Sequence, residues 1–292
     1  MSSQASTPIY APYLRGVGQI MLQNSTLTGL LFLLGIAINS LLLTLGMIAG
    51  LLVGTITAKL LKYDRAAIND GLYGFNAALV GIAMLVFFES TVRVWIGLVV
   101  LSILSTVMMN FFLRKKLPAF TFPFVFCLWV ALGISRLIIP IDPPGEGDLA
   151  PLIDYSVALN LKDFGFGFGE VIFQASMLSG IVFFLAVYVN NPTAALYGLA
   201  GTFAAIAIAV MLIGKVDEVQ QGWFTFNAVL AAIALSGEAR KDGAFVLIAV
   251  FLAVVIESVM QNIGVIYLTF PFIAAAWITV AIRGRYLKTF PD

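Results

Sequence analysis

Asp70–Ala83 reads DGLYGFNAALVGIA, and Gln221–Ala234 reads QGWFTFNAVLAAIA, 151 residues further on. Seven of the 14 positions are identical without a gap, so the two stretches are copies of one segment. Each has glycine at its second position, places Phe-Asn at the same point and then runs apolar. A helix that crosses roughly 30 Å of hydrocarbon needs about 20 apolar residues, and neither copy has them uninterrupted. Backbone that leaves a regular helix at that depth must be buried in protein or solvated by a polar cavity. Gly71, Gly74 and Asn76, with Gly222 and Asn227 in the second copy, therefore predict two re-entrant pore segments, residues 69–84 and 220–235. Close packing of helices through small residues is the other reading of these glycines.

The surrounding chain is a membrane protein by composition. Of 292 residues 61% are hydrophobic and 11% charged, with a mean hydropathy of +1.03, too apolar for a water-facing surface. A net charge of +1 points to no nucleic-acid partner, and the bilayer is the expected environment. The single Cys127 builds neither a disulfide nor a metal cluster, and histidine, the usual neutral-pH relay and metal ligand, is absent. No cofactor, metal or enzymatic activity is expected. The N-terminal MSSQASTPIYAPYLR lacks the pattern of a removable signal peptide, so the first membrane helix is expected to direct insertion.

Gly16–Ala58 carries no charge over 43 residues, about 65 Å as a helix, and must hold two spans, placed near 15–37 and 40–61 with Asn39-Ser40 as the turn. Val171–Gly214 divides in the same way at Asn190–Thr193. At the spacing of 151, Gly16–Asn39 (GVGQIMLQNSTLTGLLFLLGIAIN) falls on Gly167–Asn190 (GFGEVIFQASMLSGIVFFLAVYVN), with Gly, Gly, Gln, Ser, Leu, Gly, Phe, Leu and Asn in common. TFPF at Thr121 returns at Thr269 after a slip of three.

One half has been duplicated. The expected organisation is residues 1–140 as the first repeat, 141–165 as an acidic linker outside the cytoplasm, and 166–292 as the second repeat. Five crossings per half, an odd number, force the second copy to enter from the opposite side. The fold class is thus an all-α polytopic membrane protein with two inverted repeats of five transmembrane helices, each with a half-spanning pore helix. With both termini cytoplasmic, the inner loops hold 12 of the 16 Lys and Arg, as loops on that side should. Arg93, Arg136, Lys162 and Lys215 fall outside that count.

The paired segments GLYGFNAALVGIA and GWFTFNAVLAAIA, with the two TFPF blocks, resemble the urea transporter family over nearly the whole chain. The resemblance implies passive conduction of urea through one pore per subunit of a homotrimer, ten transmembrane helices, two half-spanning pore helices and a bacterial cytoplasmic (inner) membrane. It also implies two slots, Phe75 and Leu79 with Val171, and Phe226 and Leu230 with Ile20, and it puts Thr121 and Thr269 at the constriction. Urea is a small, planar, neutral diamide with four N–H donors in its plane, so a selective slot needs apolar plates on its faces and oxygen acceptors along its edges.

Gln19 and Glu170 stand at equivalent repeat positions and are the expected acceptors at the two mouths. An intramembrane carboxylate costs about 2.5 kcal/mol or more, which makes Glu170 a functional candidate, although an interfacial Glu170 pointing to water is the alternative. Thr121 and Thr269 can each offer a hydroxyl or merely support the proline-altered helix that follows. Asn76 and Asn227 either fix the re-entrant backbone or touch substrate. Gln23 and Gln174 are expected to bond helices together. Glu257, in VVIESVM, has no partner at the repeat spacing and no assigned role.

Four rival classes make different demands. An ammonia channel resembles its relatives in paired pore histidines, which are missing, and an aquaglyceroporin should show two Asn-Pro-Ala boxes, whereas the lone Asn191-Pro192 precedes Thr and sits in a loop. An ion-coupled secondary transporter of urea or a similar neutral amide is the main alternative, since inverted repeats and a membrane carboxylate suit it equally. A membrane scaffold would have no use for two matched polar sites.

Overall fold

The structure, a computed structural model, describes residues 8–138, 167–174, 176–213 and 224–289. The predicted linker 141–165 and Gly222 lie outside the described residues. Every described element is helical. The chain divides into two compact units, one of Met1–Ala119 with Phe126–Pro143 and one of Phe120–Val125 with Pro144–Asp292.

The first unit contains α1 (Ala11–Gly18), a 3-10 turn (Gln19–Met21), α2 (Thr26–Asn39), α3 (Leu41–Leu60), α4 (Arg65–Asn69), α5 (Phe75–Phe87), α6 (Val92–Arg114) and most of α7 (Phe122–Ile138). Four of these helices, α2, α3, α4 and α6, start where a short polar side chain accepts one of the orphan N–H groups of the first turn. Ser25 accepts from Thr28 N at 3.2 Å, Ser40 from Leu43 N at 3.2 Å, Asp64 from Ala67 N at 2.8 Å and Thr91 from Val94 N at 3.4 Å. The predicted turn at Asn39-Ser40 is a single residue, Ser40, which ends α2 and caps α3. α3 packs on α5 and α6, with Gly46 and Gly50 against Gly81 and Ala77 at distances only small residues permit.

The second unit contains a helical turn at 167–170, α8 (Met177–Asn190), α9 (Pro192–Ile213), α10 (Phe226–Leu235), α11 (Arg240–Asn262) and α12 (Phe270–Thr289), together with the first turn of α7. Ser176 caps α8 by accepting from Ser179 N at 3.4 Å. Inside this unit α9 packs on α10 and α11, the same neighbour relations that α3 has with α5 and α6.

Among the described residues four helices, α3, α6, α9 and α11, are long and apolar enough to cross a membrane. The first apolar stretch, expected as a span near 15–37, is broken in two. α1 and its 3-10 turn meet α2 at a bend of 74°. At the break Leu22 is left-handed with φ 61°, and Gln23 N donates back to Gly18 O at 3.0 Å. A side chain at 18 would set its Cβ 2.5 Å from the Gln23 carbonyl oxygen, so only glycine lets the chain fold back there. The second unit repeats the break: Phe173 has φ 57°, Gln174 N donates to Gly169 O at 3.0 Å, and a Cβ at 169 would lie 2.2 Å from the Gln174 carbonyl oxygen.

The slip of three is equally legible in the helices. α5 has 13 residues and α10 has 10, while α6 and α11 have 23 each, so the register changes from 151 to 148 at the end of the shorter α10. Left-handed residues keep that new spacing, Lys116 with Gly264 and Phe120 with Leu268.

Replacing Gly18 or Gly169 with Ala should destabilise the protein by about 1–3 kcal/mol, the ordinary cost of forcing extra atoms into a packed site. Gly133, with nothing within 4 Å of its would-be Cβ, should accept Ala with no loss. Thermal unfolding in detergent would show it, and equal behaviour of all three variants would contradict the break described here.

Candidate functional site

The predicted site residues belong to both units, and each is described within its own. In the first unit, Gln19 follows α1, and its amide Nε2 donates to the carbonyl of Asp70 at 2.9 Å. That bond orients the side chain, leaving Oε1 as the acceptor that a solute N–H can use. The same loop is tied twice more: Arg15 Nη1 donates to Asn69 O at 3.1 Å, and Asn24 Nδ2 donates to the Asp70 carboxylate at 3.0 Å. Gly71 follows with φ 77°, its would-be Cβ 2.2 Å from the Gly16 nitrogen, so the α4–α5 connection rests directly on the α1 backbone. Gly74 then starts α5, whose buried Phe75 and Leu79 are 4% and 1% exposed. Ile20 is buried in the 3-10 turn.

In the second unit Val171 is buried and Glu170 half-buried, at the turn after residues 167–170. Phe226 begins α10 and stacks on Tyr267 with ring centroids 6.3 Å apart and 19° between planes. Leu230 is buried one turn on. Thr121 and Thr269, both buried, bring their hydroxyls to 2.7 Å of each other, one donating and the other accepting. Aromatic rings flank them: Phe120 lies 5.1 Å from Phe272, and Phe124 lies 6.2 Å from Phe173. This is a hydroxyl pair in apolar surroundings.

Asn227 bonds both a side chain and the backbone of its unit. Its amide Nδ2 donates to Glu257 Oε2 at 2.8 Å and to Leu268 O at 3.1 Å, and its Oδ1 accepts from Phe272 N at 3.1 Å. One side chain thus satisfies both sides of the chain reversal at the left-handed Leu268, directly beside Thr269. The amide thus bonds one carboxyl and two backbone groups of the segment that carries Thr269. Asn76, buried on α5, directs Nδ2 toward Met109 Sδ at 3.8 Å.

Gln23 and Gln174, expected to bond helices together, also act inside the breaks. They satisfy carbonyls of their own breaks, Gln23 Nε2 to Met21 O at 2.8 Å, and Gln174 Nε2 to Ile172 O at 3.1 Å and Phe173 O at 3.0 Å. Glu257 does have a repeat partner. At the 148-residue register it falls on Met109, and each lies opposite the asparagine of α5 or α10 in its unit. Glu257 is fully buried, and its Oε1 has no hydrogen bond within 3.5 Å, the Tyr267 hydroxyl being a polar neighbour. The slip already visible in the TFPF blocks was the signal that could have found this pair. Among the described residues no group of three or more His, Cys, Asp or Glu could hold a metal ion.

Long apolar helices beside short, broken ones whose polar side chains satisfy the freed backbone define a polytopic helical membrane protein. The family model described as Urea transporter matches residues 11–284, and the chain belongs to the urea transporter family. Among curated proteins it is similar to Urea transporter 1 of Rattus norvegicus, 29% identical over 243 residues, and of Ovis aries, 28% identical over 237. Each match covers 77% of this chain and 62% of the relative, so the chain spans less than two thirds of those proteins.

Asn227→Ala strands the Glu257 carboxyl and two backbone groups, each worth about 1–3 kcal/mol when buried without a partner. It should destabilise the protein strongly. Adding Glu257→Met, the residue the first repeat carries, should recover at least about 1 kcal/mol. A double-mutant cycle by thermal unfolding that gives additive losses would remove the coupling claimed for this pair.

Proposed function

We propose that the chain conducts urea passively and selectively, through a pore in each subunit of a homotrimer. The observation that carries this reading is the family match over residues 11–284, joined to the local geometry of the matched segments. Gln19 is held by Asp70 O with its acceptor oxygen left over, and Glu170 stands at the equivalent repeat position. These are the acceptors proposed for the N–H groups of urea at the two mouths. Phe75, Leu79 and Val171 form one proposed slot, and Phe226, Leu230 and Ile20 the other. Between them the Thr121–Thr269 hydroxyls exchange their mutual bond for bonds to the solute.

The proposed architecture that supports such a path is a pair of inverted repeats in a cytoplasmic membrane of bacterial type, with ten crossings and both termini inside. An apolar slot sets a desolvation cost that a neutral diamide offsets through these acceptors. An ion faces tens of kcal/mol by an idealised Born estimate. The pore-helix glycines Gly71 and Gly74, and by repeat position Gly222, let the backbone approach the path. Asn227, and by repeat position Asn76, fix the adjoining segments.

One observation favours a second reading: Glu257 is a fully buried carboxyl beside the pore helix α10. In an ion-coupled transporter this group would carry the proton. Imposed gradients separate the two readings, because a coupled carrier accumulates urea and a passive path only dissipates it.

Liposomes containing the protein should equilibrate urea much faster than empty ones, at a rate indifferent to sodium or proton gradients. Accumulation against a urea gradient would favour the carrier, and flux equal to empty liposomes would end both readings. Thr121→Val or Thr269→Val should lower urea flux several-fold at unchanged assembly, since one unmade hydrogen bond costs about 1 kcal/mol. Phe75→Ala or Phe226→Ala should weaken discrimination against bulkier amides. Outside-only cysteine labelling should modify Gly147→Cys and spare Lys115→Cys, and the reverse pattern would invert the topology.

A further inference from the structure

The two repeats differ at one place where the first has lost what fills the second. In the second unit, the start of α11 and the end of α12 are bridged by their own side chains. Arg283 Nη2 donates to Asp242 Oδ1 at 2.8 Å, the Arg283 guanidinium lies 5.7 Å from the Phe245 ring, and Phe245 meets Tyr286 edge-on at 5.8 Å. Asp242 and Phe245 are buried by this packing. The register of 148 puts Val94 at Asp242, Gly97 at Phe245 and Ser135 at Arg283. The correspondence is secured by the burial pattern, since Val94, Leu98, Leu101, Ser102, Ser105 and Met109 are buried on α6 as their counterparts are on α11.

An acid, an aromatic ring and a guanidinium have become valine, glycine and serine. In their place the first unit holds a groove of about 790 Å³ between α6 and α7, lined by Val94, Gly97 and Ser135 among others. That is within the usual range of ligand sites, about 300–1,000 Å³. Its floor is apolar, with Met84, Phe88 and Leu101, and its rim along α6 includes Ile96 and Val100, exposed large hydrophobics of a membrane-crossing helix. The groove therefore opens toward lipid.

Its mouth is polar and carries both signs of charge. Glu89 and Arg93 line it with Thr91, and neither charged side chain forms a salt bridge among the described residues. Trp95, whose indole donates to Ser90 Oγ at 3.1 Å, marks the same level as that of the membrane interface, where such rings collect. A ligand with an apolar tail and a headgroup carrying one anion and one primary ammonium matches floor and mouth together. We propose that this groove is a phospholipid site, with an acyl chain over Gly97 and a phosphatidylethanolamine headgroup whose phosphate meets Arg93 and whose ammonium meets Glu89.

Native mass spectrometry of the full chain, purified after equilibration in mixed phosphatidylethanolamine and phosphatidylglycerol micelles, tests it through lipid retention, which is independent of urea flux. The unaltered chain should retain phosphatidylethanolamine in preference to phosphatidylglycerol. Gly97→Phe restores the plug of the other repeat. A Cβ at 97 meets only the flexible end of Met84, at 3.2 Å, so the variant has room to fold. It should lose retained lipid at least ten-fold at unchanged oligomeric mass. Arg93→Gln, which disturbs no packing, should lower retention several-fold and erase the headgroup preference.

Equal retention in the unaltered chain and both variants would overturn the proposal, as would a preference for phosphatidylglycerol. A change of oligomeric mass in Gly97→Phe without change in lipid would assign the groove to contact between copies and likewise overturn it.

Discussion

Inside hydrocarbon a backbone N–H or C=O without a partner costs several kcal/mol, and water is not there to supply one. Each helix of this chain that stops short therefore needs polar side chains at the point of stopping. Gln23 and Gln174 bond the carbonyls of the two breaks, Gln19 bonds the loop ahead of α5, and Asn227 bonds the reversal ahead of α12. Four amide side chains carry this task because an amide is neutral yet both donates and accepts. They also leave behind, in Gln19 Oε1 and the Thr121–Thr269 hydroxyls, polarity that no helix needs. The polar groups proposed for the solute are surplus from, or neighbours of, the groups that let the helices end.

Much of this was legible because it was written twice. A glycine, a glutamine or a serine in a membrane chain says little alone, but Gly18, Gln23 and Ser25 recurring as Gly169, Gln174 and Ser176 specify a close reversal, a carbonyl partner and a helix cap. The long apolar helices, the short helices α5 and α10 within the segments 69–84 and 220–235, and a turn at Asn39-Ser40 followed from length and local chemistry. The bend within 15–37 did not, because hydropathy counts apolar residues and is blind to backbone direction. Glu257 was missed for a different reason. Its partner Asn227 is 30 residues away in sequence, and its repeat counterpart is an uncharged methionine, visible only at the slipped register.

The copies have drifted apart in their supports more than in their proposed solute contacts. Phe75 and Leu79 match Phe226 and Leu230, whereas Met109 faces Glu257, and Gly97 faces Phe245. An apolar neighbour under Asn76 and a carboxyl under Asn227 show two ways of seating the same amide. A site that must fit a fixed molecule tolerates less variation than the scaffold behind it, where one packing solution can be exchanged for another at similar volume.

The shorter pore helix has a thermodynamic corollary. Three residues fewer in α10 than in α5 amount to about 4.5 Å of helix, which on the proposed urea path would give the two halves unequal vestibules. Unequal vestibules bind a permeant with unequal affinity and saturate at unequal concentrations. For a passive path they still cannot rectify: microscopic reversibility requires the ratio of maximal rate to half-saturation to be the same from either face. The asymmetry in helix length can therefore shape how flux saturates, but never which way net flux runs.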